Sequence, residues 1–385
     1  MRVSRADTSL LAEWWRTIDK PLLFSLLFLI LCGFLMSFAA SPPVAERIGI
    51  DEYHFVKRHA FFFVPTIILM IGFSMLNPSQ VRRFALVLFC VSIVLLLATL
   101  FAGAEVKGSR RWLYLAGFTL QPSEFVKPAF VIITAWLFAE NVRRPDVPGN
   151  LFSIILFGIV AALLVAQPDF GQTLLIAAVW GVLFFMAGMS WIWIAAFGAI
   201  GFVGMGFAYT IFPHVAGRIN RFVSGEGDNF QVDTGIEAIR NGGWLGQGPG
   251  EGTIKNILPD SHTDFSFAVA AEEFGIIACI LLVGLYAFIV LRGLRKSMDE
   301  RNDYVRMASA GLILLFGFQS LINIGVNLKL LPAKGMTLPF ISYGGSSMLA
   351  MAIGMGFLLA LTRTRAESRK VTSVGFGFHR THPAE

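Results

Sequence analysis

The chain contains ten apolar segments of about the length needed to cross a lipid bilayer, and these segments decide its fold class. A transmembrane helix needs about 20 predominantly apolar residues. The segments cover residues 22–41, 60–76, 84–103, 124–140, 151–167, 171–187, 191–212, 265–291, 307–328 and 340–362. Of the 385 residues 55% are hydrophobic and 15% are charged, unlike the composition of a water-soluble domain. The sequence therefore predicts an all-α integral membrane protein with ten transmembrane helices.

The loops between the segments differ in their basic residues, which sets the orientation. Lys and Arg resist translocation and accumulate in cytoplasmic loops. They are modestly enriched in the loops that lie on the same side as both ends of the chain, as at Arg82 and Arg83. We therefore expect both termini in the cytoplasm. Residues 1–20 are predicted to be a cytoplasmic segment, 21–362 a single membrane domain, and 363–385 a cytoplasmic tail that is largely disordered.

The longest loop lies between the seventh and eighth segments, over about residues 213–263, on the predicted exterior side. Loops of this length are usually functional. Residues 231–240 predict a short helix, and a cluster of glycines that permits sharp turns follows it. A flexible connector is the alternative interpretation of this loop. The glycines of the cluster are Gly242, Gly243, Gly246, Gly248, Gly250 and Gly252.

Few ionisable side chains lie inside the apolar segments or at their ends. Each is a candidate for function, because a charge in a bilayer costs several kcal/mol unless it is paired or faces water. Glu124 and Lys127 are three residues apart, share one face of a helix and can pair there. A purely structural ion pair is the alternative. The complete set is Glu124, Lys127, Asp169, Asp264, Glu272 and Glu273, and the sequence leaves the roles of the last two open.

Asp264 lies where the long polar loop meets the eighth apolar segment, between water, headgroups and hydrocarbon. Partial burial disfavours a charged carboxylate and makes it a better general base. His262 and Thr263 precede Asp264 and could orient it or a substrate hydroxyl. The structural alternative is a helix N-cap, since Asp at a helix start accepts hydrogen bonds from free backbone N–H groups.

A cationic motif precedes the fourth segment at the exterior membrane edge, where Lys107, Arg110 and Arg111 lie beside Trp112. Cations at this level attract anionic headgroups, and Arg can bind a phosphate through two parallel hydrogen bonds. A plain interfacial anchor is the alternative, because Trp concentrates at the membrane interface. The net charge of +6 gives no reason to expect nucleic-acid binding, because no motif of that kind accompanies it.

A polar stripe runs along the ninth segment, where Gln319, Asn323 and Asn327 recur every four residues. This spacing places the three amides on one face of a helix that is otherwise apolar. Such a face should contact protein and not lipid. A stripe of this kind either holds helices together through hydrogen bonds or serves a site, and the sequence leaves both interpretations open.

Five motifs together resemble a known family. They are KGSRRW at 107–112, QPSEFVK at 121–127, QPDFGQT at 167–173, LPDSHTDFSFAVAAEEFG at 258–275 and LPFISYGGSSML at 338–349. In this order, and over almost the whole chain, they resemble the SEDS family of bacterial cell-wall polymerases. Within that family, Lys334 and Thr337 resemble the branch that serves cell division more than the branch that serves elongation.

The resemblance implies a peptidoglycan glycosyltransferase of the inner (plasma) membrane that polymerises lipid II into glycan strands at the division septum. Asp264 matches the family's essential aspartate and would be the general base of an inverting transfer. Arg111 and Lys127 would contact the departing pyrophosphate. The remaining implied substrate-binding residues are Glu124, which would hold Lys127, Asp169, which would line the same cavity, and Lys107, Arg110, His262, Thr263, Ser342, Gly344 and Gly345.

The resemblance also implies partners. These are a class B penicillin-binding protein, which is an FtsI-like transpeptidase, other divisome proteins, membrane lipids and the substrate lipid II, with no nucleic acid. No cofactor is certain, although a divalent cation such as Mg or Mn beside the pyrophosphate would be chemically reasonable. A lipid II flippase is the alternative function, but the polar groups concentrate on the exterior side and give no path to both faces. A scaffold without catalysis would leave the ionisable residues unexplained.

Overall fold

The computed structural model describes residues 9–47, 49–106, 109–115, 117–211, 216–217, 220, 230–332 and 335–364. Thirteen α-helices lie within these residues: α1 Leu10–Thr17, α2 Lys20–Ala40, α3 Pro42–Arg47, α4 His54–Ser74, α5 Pro78–Ala102, α6 Pro122–Arg143, α7 Gly149–Ala166, α8 Phe170–Met186, α9 Trp191–Ile211, α10 Phe230–Gly242, α11 Ser266–Met298, α12 Asp303–Asn327 and α13 Gly345–Leu361. Three strands, β1 Ala104–Val106, β2 Ser109–Leu115 and β3 Phe118–Leu120, and a 3₁₀ turn at Ile254–Asn256 complete these elements.

Eight helices among the described residues are long and apolar enough to cross a membrane, namely α2, α4, α5, α6, α7, α9, α11 and α12. Helices α8 and α13 are also apolar but have 17 residues each. Every predicted apolar segment thus coincides with an apolar helix, and the all-α membrane class is confirmed. The number of ten crossings stays a prediction, as does the extent of the exterior loop, because residues 212–215 and 221–229 lie outside the described part of the chain.

Several helix ends differ from the predicted segments. Helix α4 begins at His54 and not at residue 60, because a helix continues past its apolar stretch when charged side chains such as Lys57 and Arg58 face water. Helix α13 begins only at Gly345, because residues 339–342 form turns. The short helix predicted at 231–240 is confirmed by α10. Of the predicted tail, residues 365–385 lie outside the described residues.

A small sheet joins α5 to α6, which the all-α prediction missed. Its strands are antiparallel in the order β1-β2-β3, with Glu105 opposite Arg110 and Tyr114 opposite Thr119. Gly117, between β2 and β3, has a φ of 83°, which glycine adopts without a steric penalty. Strand β2 carries Arg110, Arg111 and Trp112 of the predicted cationic motif, so successive side chains of these three point to opposite faces.

Helices α6 and α12 form the buried centre of the bundle, and α13 packs against both of them and against α4. Helix α9 is peripheral, since none of its apolar window is buried. Glu124, Lys127 and the polar stripe lie on these two central helices, whereas Arg111 lies on β2, Asp169 immediately before α8 and Asp264 in the turn before α11. Part of the site is therefore built on deeply buried helices of the bundle.

Helix α11 is broken near its N-terminal end at Gly275, which has φ 76° and ψ 176°. A β-carbon at Gly275 would overlap the backbone of Trp244 and Gly246. The break therefore exists because a segment of the long loop between α9 and α11 crosses the helix at this point. Residues 266–274 form a separate helical piece, and the long apolar part of α11 starts at Ile276.

We expect Gly275→Ala to lower the free energy of unfolding by at least about 1–3 kcal/mol, because φ 76° with ψ 176° is a conformation that only glycine adopts readily and because its β-carbon would overlap backbone atoms. The measurement is the thermal unfolding midpoint of the purified protein in detergent. Gly284→Ala in the same helix is the matched control, because its β-carbon would meet no atom within 4 Å and Ala favours the helix. Equal midpoints for the two variants would contradict the assigned role of Gly275.

Candidate active site

Asp264 lies in the turn immediately before α11, and its side chain is half-buried. The helix begins at Ser266, and Phe265 occupies the cap position, so the N-cap interpretation of Asp264 is wrong. The backbone carbonyl of Asp264 accepts hydrogen bonds from Nδ2 of Asn323 at 2.9 Å and from Nδ2 of Asn327 at 3.0 Å. Two buried amides therefore fix the backbone that carries this carboxyl group.

The carboxylate of Asp264 faces the segment that precedes α13. Its Oδ2 lies 3.4 Å from the point that a β-carbon on Gly335 would occupy. Asn323 donates a second hydrogen bond to the carbonyl of Met336 at 2.6 Å, which holds this segment against α12. The same amide side chain thus positions Asp264 and the chain segment opposite it.

The polar stripe of α12 faces protein, as predicted, because Gln319, Asn323 and Asn327 are all buried. It does more than hold helices together. Gln319 accepts a hydrogen bond from Nζ of Lys127 at 2.8 Å and donates one to the carbonyl of Thr337 at 3.1 Å. Since residues four apart rise by about 6 Å along a helix, the stripe connects Lys127 to Asp264 over one to two turns.

Glu124 and Lys127 form the predicted ion pair, with Nζ of Lys127 2.8 Å from Oε2 of Glu124. Both side chains are almost fully buried, at 1% exposure for Lys127 and 5% for Glu124. The amide of Gln172 donates to Oε1 of Glu124 at 2.7 Å. Glu124 lies in the first turn of α6, where the helix dipole favours a negative charge. The pair is therefore neutralised and held in one geometry by α6, α8 and α12.

Arg111 extends from β2 to the turn between α7 and α8. Its guanidinium donates to the carbonyls of Pro168 at 2.5 Å and Gln167 at 3.2 Å and lies 3.8 Å from Oδ1 of Asp169. Asp169 caps α8 by accepting from the backbone N–H of Gln172 at 3.4 Å. Burial raises the pKa of the Asp169 carboxyl, and the charge of Arg111 opposes this rise. Arg111 keeps 20% of its side chain exposed, so it is the accessible cation of this group.

These contacts form one continuous polar network at the end of the bundle where Asp264 lies. The structure thus brings Arg111, Glu124, Lys127 and Asp169 together and joins them to Asp264 through buried amides. Gln172, Gln319 and Thr337 are members that the candidate set did not contain. The sequence feature that could have identified these three residues is that each is a polar residue inside or beside an apolar segment. Along the chain of contacts the order is Arg111, Asp169, Gln172, Glu124, Lys127 and Gln319, then the backbone carbonyls of Thr337 and Met336, and finally Asn323 and the backbone carbonyl of Asp264.

His262 and Thr263 lie beside Asp264 but contact other groups. The His262 ring packs between Phe55, with ring centres 4.7 Å apart, and Tyr343, at 5.6 Å. The hydroxyl of Thr263 donates to the carbonyl of Asp260 at 3.3 Å. An aromatic cluster therefore borders the aspartate on this side, and the substrate roles of His262 and Thr263 stay predictions.

Residues 342–345, the SYGG sequence, pack the start of α13 against its neighbours. The hydroxyls of Ser342 and Ser266 lie 2.5 Å apart. A β-carbon would lie 2.6 Å from the ring of Phe62 at Gly345 and 3.4 Å from Cγ2 of Thr337 at Gly344. Ser342 and Gly345 thus have structural contacts that explain their residue types, whereas a β-carbon at Gly344 would make only ordinary van der Waals contacts. Substrate binding by all three stays a prediction.

Arg110 of the cationic motif makes its ion pair away from this network. Arg110 is exposed and contacts Oε2 of Glu105 at 3.5 Å, because neighbouring residues of a strand point to opposite faces. Lys107 lies outside the described residues. Within the part of the chain that the structure describes, no group of three or more His, Cys, Asp or Glu side chains is placed to hold a metal ion, and the divalent cation stays a prediction.

The fold and this network define a polytopic membrane protein with a buried charged site at one end of its helix bundle. Residues 20–367 match the family model of FtsW, RodA and SpoVE, which is described as cell cycle protein. The chain belongs to this family, the SEDS family predicted from its motifs.

Proteins of similar sequence also support the assignment of this chain to the cell-division branch of the family. The chain is 47% identical to the probable peptidoglycan glycosyltransferase FtsW of Caulobacter vibrioides, over 98% of this chain and 97% of that protein. It is 34% identical to the protein of the same name from Trichlorobacter lovleyi, over 89% and 93%. FtsW is the division branch, so the predicted resemblance is confirmed. Of the two residues that indicated this branch, Lys334 lies outside the described residues.

Solved structures show the same fold. A chain from a structure described as structural coordination of polymerization and crosslinking by a peptidoglycan synthase complex matches with a TM-score of 0.75 and 26% identity, over 90% of this chain and 97% of that chain. The rod shape determining protein RodA of Thermus thermophilus matches with a TM-score of 0.67 and 25% identity, over the same 90% and 97%.

Proposed function

We propose that this chain is a peptidoglycan glycosyltransferase that polymerises lipid II into glycan strands during septal cell-wall synthesis. The observation that carries the proposal is the buried network that joins the accessible cation Arg111 to Asp264. The activity named for the FtsW relatives supports it. A polymerase needs one base and cations for a leaving pyrophosphate, and both are present at the same end of the bundle.

The proposed reaction inverts the anomeric carbon of the donor, which is the growing glycan chain on undecaprenyl pyrophosphate. The 4-hydroxyl of the acceptor GlcNAc forms a bond to this carbon while the bond to the pyrophosphate oxygen breaks. The hydroxyl proton passes to the carboxylate of Asp264. The electron pair of the broken bond leaves on undecaprenyl pyrophosphate, whose negative charge is stabilised by nearby cations.

The two cations have different parts in this proposal. Arg111 is partly exposed and can reach a phosphate, for which guanidinium geometry is well suited. Lys127 is buried and already bound by Glu124 and Gln319, so it acts on the leaving group through its field and by holding the network in place. Charges fixed in a low-dielectric site act more strongly than charges in water.

We also propose the setting of this reaction. The partner is a class B penicillin-binding protein of the FtsI type, supported by the likeness to a chain of a peptidoglycan synthase complex in which polymerization and crosslinking are coordinated. Other divisome proteins, a septal location and cytoplasmic termini follow from the FtsW likeness and from the distribution of Lys and Arg. The site then faces the exterior, where lipid II headgroups arrive.

The test is reconstitution of the purified chain and the transpeptidase into liposomes that contain labelled lipid II. We expect glycan strands, seen as a ladder on a gel, from the pair and none from the transpeptidase alone. The same liposomes report headgroup translocation by the accessibility of the label to an added reagent. Translocation without strands would overturn the proposal and favour a flippase.

A further inference from the structure

The glycine-rich segment of the exterior loop, residues 242–252, lies across the break in α11. A β-carbon at Gly246, where φ is 85°, would collide with the backbone carbonyl of Glu273. One at Gly242 would collide with the carbonyl of Ala271. Backbones that approach this closely leave room only for glycine. The glycines therefore fix the course of the segment against α11.

Glu272 and Glu273, which are both buried, bind this segment and the residues that follow it, up to Lys255. The Glu272 carboxylate accepts hydrogen bonds from the backbone N–H groups of Ile254 at 2.7 Å and Lys255 at 2.8 Å. The Glu273 carboxylate accepts from the N–H of Gly250 at 2.5 Å and forms an ion pair with Lys255. Charge-assisted hydrogen bonds of this number hold residues 242–255 in one position, so this part of the long loop is not a flexible connector.

The outer side of the segment presents two large apolar side chains. Trp244 is 73% exposed and Leu245 is 80% exposed. The carbonyl of Gly243 accepts a hydrogen bond from the N–H of Ile276 at 2.9 Å, and that of Trp244 accepts from Ile277 at 3.4 Å. The pair thus lies level with the first residues of the membrane-crossing part of α11.

An exposed apolar face continues along α11 from this level. A face of this kind on a membrane-crossing helix meets lipid acyl chains, because it is apolar and uncovered along its length. Trp244 and Leu245 extend this face at its exterior end, where headgroups meet acyl chains. The face consists of Ile276, Ile277, Ile280, Leu281, Val283, Phe288 and Leu291.

We propose that Trp244 and Leu245 form a membrane-contact site, the Trp244–Leu245 site, which inserts into the outer leaflet at the boundary between headgroups and acyl chains. The indole ring prefers this boundary, and Leu adds apolar surface. The glycines and the two buried glutamates give the site a fixed position relative to α11. Insertion therefore sets the height of the exterior loop, and of the turn that carries Asp264, above the lipid. This inference stands independently of the proposed catalytic activity.

The test uses Trp fluorescence of the full chain in phosphatidylcholine and phosphatidylglycerol nanodiscs. The difference between wild type and Trp244→Phe isolates the emission of Trp244. We expect lipids brominated near the top of the acyl chain to quench this difference signal more strongly than lipids brominated near the chain end. We also expect the water-soluble quencher acrylamide to have little effect. Trp180→Phe is the control, because Trp180 is 3% exposed and both quenchers should spare its signal.

Two results would overturn the proposal. Quenching by acrylamide but not by brominated lipids would place Trp244 in water. A Trp244 signal that acrylamide quenches until the transpeptidase is added, and spares afterwards, would identify a protein as the occupant of the site. Trp244→Phe and Leu245→Ala both change exposed side chains. In the same nanodiscs, Leu245→Ala should shift the Trp244 emission towards longer wavelength, because an inserted neighbour is lost.

Discussion

Asp264→Asn should reduce glycan-strand synthesis by about 10²–10⁴-fold, the usual contribution of a general base. An amide has the shape of the carboxylate but cannot accept the hydroxyl proton at neutral pH. The fold should persist, because Asn323 and Asn327 bind the backbone carbonyl of residue 264 and not its side chain. The measurement is the initial rate of strand formation in liposomes, together with the thermal unfolding midpoint.

Asp260→Asn is the matched control for this change. Asp260 lies in the same turn region, and its carboxylate accepts a hydrogen bond from Gln231 at 3.2 Å. Its φ of 53° suits Asn as well as Asp, so the substitution introduces no backbone strain. We expect activity close to wild type from Asp260→Asn. Equal strand synthesis by Asp264→Asn and wild type would show that Asp264 is not the base, while the polymerase assignment would stand.

The sequence predicts the membrane helices and the composition of the site because both have local signals. Apolar segments of the right length mark the spans, and four-residue spacing places Gln319, Asn323 and Asn327 on one buried face. Charge within apolar surroundings marks Glu124 and Lys127. Each of these signals depends on neighbours within about two helical turns, where side-chain geometry is set by the helix itself.

The remaining features depend on partners far apart in the chain. The Gln172 amide that binds Glu124 is 48 residues away, and Gln319, which binds Lys127, is 192 residues away. The break at Gly275 exists only because Gly246 crosses there. The roles of Glu272 and Glu273 depend on the same crossing. No local pattern specifies these contacts, so the sequence could predict the charged members of the network but not Gln172 or Thr337, nor the order of the contacts.

Helix ends and the small sheet show a different limit. The start of α4 at His54 lies beyond its apolar stretch, and the sheet around Arg111 is made of strands only three to seven residues long. Hydrophobic periodicity identifies the helices that lie in the lipid bilayer. It does not predict the structure of the polar segments outside the bilayer. The pairing of β2 with both neighbours nonetheless decides that Arg111, and not Arg110, reaches Asp169.

Lys127→Met should lower the free energy of unfolding by about 3–5 kcal/mol, because it leaves the buried charge of Glu124 without its partner. Strand synthesis should fall with it. Loss of activity in this variant alone does not distinguish a structural ion pair from a pair that serves the leaving pyrophosphate. The double variant Lys127→Met with Glu124→Gln makes the distinction, because it removes both charges and keeps similar volume.

The double variant should recover most of the unfolding midpoint, since neutral side chains of similar size often replace a buried ion pair at little cost. The amide oxygen introduced at position 124 can still accept the hydrogen bond that Gln172 donates to this position in the wild type. Strand synthesis should nevertheless remain about 10²-fold below wild type, because the positive field of Lys127 at the leaving group is gone. Recovery of both stability and synthesis would contradict this role and leave the Glu124–Lys127 pair purely structural.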